Sequence, residues 1–228
     1  GRRPLTCPAH LLSLRLYSDG ISGTFAERLR ERGIVVDALL GWTIAFVLMN
    51  FTATFAIAGL VIAGIIIIAR RRRGHAAWQT LLSWYLLLGI GVTYIFNGIM
   101  HTVFGDFSAS LIGWENNGFQ AEVGFASIGM GIVGIMAAPC SAPLLLKLAA
   151  IVGPACFLWG AAGAHILDIV RNGNMSTHNA GVVLYTDLIV PALGFALWGF
   201  TWATRVRGTA PVLDVARESI PTPAAIDA

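Results

Sequence analysis

The chain has 228 residues, of which 56% are hydrophobic and only 12% are charged, with a formal net charge of +3. A soluble domain needs a wetted surface and carries roughly a quarter charged residues, so this composition excludes a soluble globular protein. The positive excess lies mainly in arginine clusters beside apolar runs, as is typical of membrane-flanking charge and not of a nucleic-acid-binding face. The three cysteines form no C-x-x-C pair, so neither a disulfide framework nor a zinc knuckle is expected.

The first 37 residues are mixed in character and charged. Thr24 and Glu27 have the spacing of a capping box, which predicts a short surface helix over residues 25–33. The first methionine is Met49, inside an apolar run, so three interpretations of residues 1–34 stay open: native chain, processed remnant, or translation from upstream of the start. No signal peptide is recognisable, because the first long apolar run is too long for a signal-peptide core.

The apolar runs predict an all-α membrane protein with about five transmembrane helices. The charge-free stretch 38–69 exceeds the roughly 20 residues that a helix needs to span hydrocarbon, and it ends at the arginine run 70–73. Four further transmembrane helices are predicted, over residues 78–104, 121–138, 144–169 and 182–203. These four form a core, 78–204, preceded by one additional N-terminal helix. The remaining segment, 205–228, is predicted to be a disordered tail.

Small residues and prolines mark individual helices. The third helix is rich in glycine, which lets helix backbones approach closely in lipid. Pro154 predicts a kink in the fourth helix. Residues 105–120 and 171–181 are predicted to be polar loops that join the helices in pairs.

Positive charge predicts the orientation. The arginine run 70–73, Lys147 and the pair Arg205 and Arg207 are expected in the cytoplasm, together with the C-terminal tail. The two polar loops then face outward. Helix one would carry the arginines of the N-terminal segment across the membrane, which conflicts with the charge rule. A chain that starts nearer residue 35 removes this conflict.

Ionisable side chains inside the apolar helices gather near one end of them. Such a group costs at least roughly 2.5–3.5 kcal/mol at the middle of a membrane helix, so each needs a reason. Helix spacing places Asn97 with His101 on one helix face, and His165 with Asp168 on another. Because the outer ends of the four core helices lie in one leaflet, we expect a shared polar cluster there. Its members are Asn97, His101, Glu122, His165, Asp168 and Asp187.

Three roles for this cluster stay open. In the first, the polar groups hydrogen-bond to one another and pin the bundle together, a common use of polar groups in membranes. In the second, two histidines and two carboxylates hold a Zn, Fe or Mn ion, with His101, Glu122, His165 and Asp187 as ligands. The E-x-x-H pairing of carboxylate-bridged metal bundles is missing, so no metal cofactor is assigned. In the third, the cluster binds a small molecule or lipid, or handles protons.

Two stretches carry a family resemblance. Residues 110–136 read SLIGWENNGFQAEVGFASIGMGIVGIM, and residues 163–191 read GAHILDIVRNGNMSTHNAGVVLYTDLIVP. Both resemble the signature of an uncharacterised bacterial membrane family, DUF6790, over residues 80–200, which leaves the first helix outside. The resemblance implies a four-helix core in a bacterial inner (plasma) membrane, and it supplies no activity. The family motifs are matched by Gln120, Glu122, His165, Asn174, Asn179 and Asp187, so Gln120 joins the predicted cluster.

The expected function rests on the absence of catalytic motifs from the sequence. No P-loop, G-x-S-x-G or H-E-x-x-H motif is present. We therefore expect a non-enzymatic accessory or stabilising subunit of a larger membrane assembly, such as an envelope lipid or solute transporter. Its partners would be the bilayer and a membrane protein, and not nucleic acid. The alternative is a small membrane enzyme or a ligand- or metal-binding protein that uses the cluster. A lone transporter is disfavoured because paired broken helices are missing.

Overall fold

The structure of the chain, a computed structural model, describes residues 37–43, 45–47 and 49–209. The chain divides into two units, residues 1–49 and residues 50–228. In the first unit, the described residues form a helical segment, Asp37–Val47. The surface helix predicted over residues 25–33 lies outside the described residues, as do the residues of the predicted tail beyond position 209.

The second unit is a bundle of helices. They are α1 (Phe51–Ala69), α2 (His75–Val103), α3 (Gly105–Ile112), α4 (Gly118–Ala137), α5 (Leu144–Asn172), α6 (Thr177–Ala180) and α7 (Val182–Thr209). The described residues include no strand. Within them, α1, α2, α4, α5 and the α6–α7 stretch are long and apolar enough to cross a membrane, which confirms the predicted all-α class and its five spans.

The helix bounds differ from the predicted ones in several places. The single helix predicted over residues 38–69 is interrupted here: Asp37–Val47 is one helical segment, and α1 begins at Phe51, after Asn50 with φ −113° and ψ 38°. The predicted loop 105–120 contains a short helix, α3, which ends where Gly113 adopts a φ of +82°. A left-handed conformation of this kind suits glycine and commonly ends a helix. In addition, α5 is one continuous helix through Pro154.

The predicted close packing of small residues is found between α2 and α4. A Cβ atom on Gly131 would lie 2.8 Å from the backbone nitrogen of Ile95 and 2.9 Å from the carbonyl oxygen of Gly91. One on Gly134 would lie 2.8 Å from the Gly91 nitrogen. The two backbones therefore touch directly at these glycines, which explains why side chains are absent there. The segment of α2 that carries Gly91 is wound as a π-helix, Tyr85–Val92.

Helix α2 is also tied to the later helices by two buried tyrosines. The Tyr85 hydroxyl donates a hydrogen bond to the carbonyl oxygen of Val190 in α7 at 2.9 Å. The Tyr94 hydroxyl donates to the carbonyl oxygen of Pro154 in α5 at 3.3 Å. These bonds, together with the buried side chains of Leu82 and neighbouring residues, place α2 at the centre of the bundle.

The bundle has two chemically different ends. One end, which we call the loop end, comprises α3, α6 and the connecting residues 113–117 and 173–176, and there α3 packs against α6. The opposite end, which we call the arginine end, comprises the arginine run 70–73, the connection 138–143 and the neighbourhood of Arg205. The two polar connections thus meet at one end, as expected for helices that alternate in direction.

Candidate functional site

The predicted polar residues lie at the loop end, but they divide into separate groups. The most buried group is centred on His165 in α5 and Asp187 in α7, which are 6% and 4% exposed. The His165 Nε2 atom lies 3.8 Å from a carboxylate oxygen of Asp187. His165 and Asp187 therefore lie side by side within the bundle.

A chain of hydrogen bonds fixes the orientation of His165. The Asn179 amide nitrogen donates to the carbonyl oxygen of Asn174 at 2.8 Å, so the amide oxygen must point the other way, toward His165. That oxygen lies 2.7 Å from His165 Nδ1. Because an amide oxygen only accepts hydrogen bonds, Nδ1 carries a proton and donates it. We call this arrangement of carbonyl, amide and imidazole a histidine relay.

The relay determines what His165 presents to Asp187. With the proton of a neutral ring on Nδ1, the Nε2 lone pair faces the carboxylate. His165 and Asp187 thus form a buried polar pair between α5 and α7.

Asp168, expected beside His165, organises the loops instead. Its carboxylate accepts hydrogen bonds from the Trp114 indole nitrogen at 3.1 Å and from the Asn174 amide at 2.7 Å. Asn172 donates to its other oxygen at 2.6 Å. Trp114 also stacks on the His165 ring, with 5.7 Å between the ring centroids. Trp114 therefore closes the outer side of the histidine.

His101 belongs to a second group, on α2 and α4. Its Nδ1 atom lies 3.1 Å from the Gln120 amide oxygen, and the Gln120 amide nitrogen donates to the carbonyl oxygen of Gly105 at 3.3 Å. This is a second histidine relay with the same order of groups. Unlike the first, it borders a cavity of about 470 Å³ that is also lined by Asp106 and Asn116.

The remaining predicted members lie apart. The Asn97 amide donates to the Ser127 hydroxyl at 2.9 Å, which joins α2 to α4 away from both histidines. Glu122 is exposed on α4. The prediction that all these side chains form one shared cluster is therefore wrong. Most of them instead form hydrogen bonds or close contacts with residues beside them.

The four residues proposed as metal ligands do not come together either. In the described part of the chain, no three His, Cys, Asp or Glu side chains come close enough to hold a metal ion. Of the four proposed ligands, His165 and Asp187 meet, whereas His101 pairs with Gln120 and Glu122 is exposed. The physical reason is separation: His101 pairs with Gln120 on α2 and α4, whereas His165 and Asp187 meet between α5 and α7.

Sequence reasoning missed the role of Lys147, which it placed among the membrane-flanking charges. The side chain is 1% exposed at the arginine end of the bundle. Its ammonium group donates to the carbonyl oxygens of Ala137 and Pro139, both at 2.8 Å, and to the Ser83 hydroxyl at 3.3 Å. The last carbonyls of a helix lack partners within it, so Lys147 caps the end of α4.

The comparisons with known proteins add one finding. A family model described as "Family of unknown function (DUF6790)" matches residues 49–207. The match covers the resemblance seen over residues 80–200 and extends it to α1, which the resemblance leaves outside. No curated protein and no solved structure matches the chain.

Proposed function

The chain belongs to the DUF6790 family, a family of unknown function, and we propose that it serves as a non-enzymatic accessory subunit of a larger membrane assembly. In this role it docks against a partner membrane protein through its lipid-facing surface and stabilises the assembly. The observation that carries the proposal is an open row of small residues on α5.

This row, which we call the open stripe, follows one exposed face of α5 at spacings of three and four residues. Its members are Gly153, Cys156, Gly160, Gly163 and Ala164. At Gly160 and Gly163, no described atom outside the helix itself lies within 4 Å of where a Cβ atom would be. The described chain therefore leaves this part of the stripe unfilled.

The bundle itself indicates what such a stripe is suited to. Between α2 and α4, glycines such as Gly91 and Gly131 bring two backbones into direct contact. In lipid, helices associate through packing of small residues, because the surrounding hydrocarbon gives no hydrophobic driving force. The open stripe repeats this chemistry on a face with room for another helix. A transmembrane helix of a partner protein is the occupant that fits.

The loop end supports the same role. The His165 relay is closed by Asn179 on one side and by the Trp114 ring on the other. Interhelical hydrogen bonds of this kind contribute about 0.6–2 kcal/mol each in membranes. The His165–Asn179 bond ties α5 to α6, and the His165–Asp187 pair links α5 to α7. These contacts hold α5 in place, as a docking surface requires.

The experiment compares two glycine-to-leucine variants. The tagged full-length chain is extracted from its native membrane in mild detergent, and the proteins that purify with it are quantified. We expect Gly160→Leu to reduce recovery of a defined partner by about tenfold or more, because leucine fills the stripe and prevents close approach of a helix.

Gly199→Leu is the matched control. Gly199 lies in α7, and there too no described atom outside its own helix lies within 4 Å of where a Cβ atom would be. Both substitutions raise helix propensity equally, so only the place of the leucine differs. The proposal is contradicted if both variants retain the partner equally. It is also contradicted if the wild-type chain purifies alone or only with copies of itself.

A further inference from the structure

The cavity beside His101 lies at the loop end, between the end of α2, helix α3 and the start of α4. It has a volume of about 470 Å³ and is lined by residues from all three elements. His101 and Gln120 line it from α2 and α4, and Asp106 and Asn116 come from the connection between these two helices. The site is thus built by one helical hairpin and is independent of the open stripe.

The histidine relay gives His101 a defined chemical character in this cavity. Gln120 is held by the Gly105 carbonyl, so its oxygen receives the proton on His101 Nδ1. The second nitrogen of a neutral ring, Nε2, then keeps its lone pair. In the described part of the chain, Nε2 of His101 has no hydrogen-bond partner. Every buried side-chain nitrogen and oxygen there does have a partner. Nε2 is therefore not buried, and because His101 lines the cavity, this nitrogen can serve there as a hydrogen-bond acceptor.

The other polar groups of the cavity are also mostly acceptors. Asp106 is an exposed carboxylate that receives one hydrogen bond, from the Asn116 amide nitrogen at 2.5 Å. Among the described residues, nothing else donates to its second oxygen or to the Asn116 amide oxygen. The described residues that line the cavity include no lysine or arginine. Phe104 and Phe107, each about half exposed, add aromatic surface that attracts cations.

From this arrangement we propose that the cavity binds a primary ammonium group. An –NH₃⁺ group has three N–H donors and one positive charge, which match the His101 lone pair and the Asp106 carboxylate. A quaternary ammonium group has the same charge but no N–H donor, so it cannot use His101. The ammonium group can come from the ethanolamine headgroup of a membrane lipid or from a free amine, since both carry the same chemistry.

Binding is measured on the full chain in nanodiscs of phosphatidylcholine and phosphatidylglycerol, with ¹⁵N-labelled histidine. Ethanolamine is titrated, and the side-chain nitrogen resonances of His101, assigned with His101→Phe, are followed. We expect a saturable shift of the Nε2 resonance. Choline, titrated in the same way, should bind about tenfold more weakly or not at all, because it lacks donors.

Two variants in the connection between α2 and α4 test whether the charge of Asp106 acts on binding specifically or only as one of several nearby negative charges. Asp106→Asn keeps the shape of an exposed side chain and removes its charge, and it should weaken ethanolamine binding by about tenfold or more. Glu115→Gln removes the same charge from an exposed residue that does not line the cavity, and it should change binding less than about twofold. Equal binding of ethanolamine and choline, no saturable shift, or equal effects of the two variants would overturn the proposal.

Nanodiscs that contain phosphatidylethanolamine identify the source of the ammonium group. If the lipid headgroup occupies the cavity, the His101 shift is present before any ethanolamine is added, and Asp106→Asn removes it. If a free amine is the ligand, these discs give the unshifted resonance, and ethanolamine still shifts it. Either result supports a primary ammonium site and assigns its source.

Discussion

Two histidines at the loop end are held by the same sequence of groups. In each, a backbone carbonyl orients a side-chain amide, and the amide oxygen accepts the proton of Nδ1. The environments of His101 and His165 differ in what meets Nε2: a cavity in the first case and the Asp187 carboxylate in the second. The same arrangement of groups therefore leaves Nε2 of His101 beside a cavity and places Nε2 of His165 beside a buried carboxylate.

The amide of the closed relay should be important for stability. Asn179 is 0% exposed, and Asn179→Ala leaves His165 Nδ1 and the Asn174 carbonyl without their partners. We expect a loss of about 1–3 kcal/mol in the free energy of unfolding, because buried groups are left unsatisfied. Thermal or denaturant unfolding in detergent measures this loss.

Asn172→Ala is the matched control for this prediction. Asn172 is an exposed amide that donates to Asp168 in the adjoining network. Its removal should change stability by about 0.5 kcal/mol or less, because water replaces the lost bond. Equal destabilisation by the two variants would mean that the buried relay has no special role.

Sequence reasoning reached only part of this site. His165 and Asp187 stand out in the sequence because ionisable groups are rare and costly in apolar helices. Asn179 stands out only as a motif residue, and nothing in the sequence connects Trp114 with the histidine, since uncharged side chains are common in loops. Their contacts join two different connections, and no spacing rule within one helix predicts such a meeting.

At the scale of the elements, the contact between α2 and α4 depends on which glycines face inward. The sequence predicts close packing from the glycine content of α4, but Gly129 and Gly131 look alike in a row of alternating small residues. In the structure, Gly131 touches the backbone of α2, whereas no described atom outside α4 approaches the Cβ position of Gly129. Their roles are set by the rotation of the helix, which composition does not specify.

Because of this difference, the same substitution at the two glycines should change the free energy of unfolding differently. Gly131→Ala puts a methyl group within 3 Å of backbone atoms of α2, which cannot move aside easily. We expect it to lower the free energy of unfolding by about 1–3 kcal/mol. Gly129→Ala adds the same methyl group in open space and should be neutral or stabilise by up to about 1 kcal/mol.

Unfolding of the two variants by sodium dodecyl sulfate, followed by circular dichroism, provides the measurement. The wild-type chain and both variants are compared at the same detergent composition. If Gly131→Ala proved as stable as Gly129→Ala, the direct backbone contact between α2 and α4 would be wrong. If both lost stability equally, the face of α4 that carries Gly129 would have to be covered.

Helix α3 and Lys147 show where element prediction from sequence stops. The segment Gly105–Ile112 is short and polar at its start, which predicts a loop, yet it forms a helix that packs against α6. Lys147 has the sequence position of a flanking charge, yet it caps α4 from within the bundle. In both cases a contact between distant parts of the chain decides the local outcome.

At the scale of the whole molecule, the two ends differ in charge as well as in structure. The arginine run 70–73 and Arg205 belong to one end, while the described residues of α3 and of the connection 113–117 include acids and no lysine or arginine. The lengths of the apolar runs are enough to predict five spans, because hydrocarbon thickness sets a minimum helix length. They are also enough to predict that both polar connections share one end, since successive helices reverse direction.

The charge difference predicts which end faces the cytoplasm. Cytoplasmic segments are enriched in arginine and lysine, so the arginine end should be cytoplasmic and the loop end should face outward. Single cysteines placed in a chain without its native cysteines test this with a membrane-impermeant maleimide. Exposed positions at the loop end are Ser110 and Met175, and those at the arginine end are Arg73 and Ser141.

We expect Ser110→Cys and Met175→Cys to react in intact cells, because both belong to the outward end. Arg73→Cys and Ser141→Cys should react only after the membrane is made permeable. The two positions at each end also serve as controls for one another, because a local structural change at one cysteine would not alter the labelling of the other. Labelling of both ends from the same side would contradict the arrangement of the spans, and a reversed pattern would contradict the orientation alone. The orientation matters for the proposed ammonium site, because the side that the loop end faces determines which leaflet or which aqueous compartment supplies its ligand.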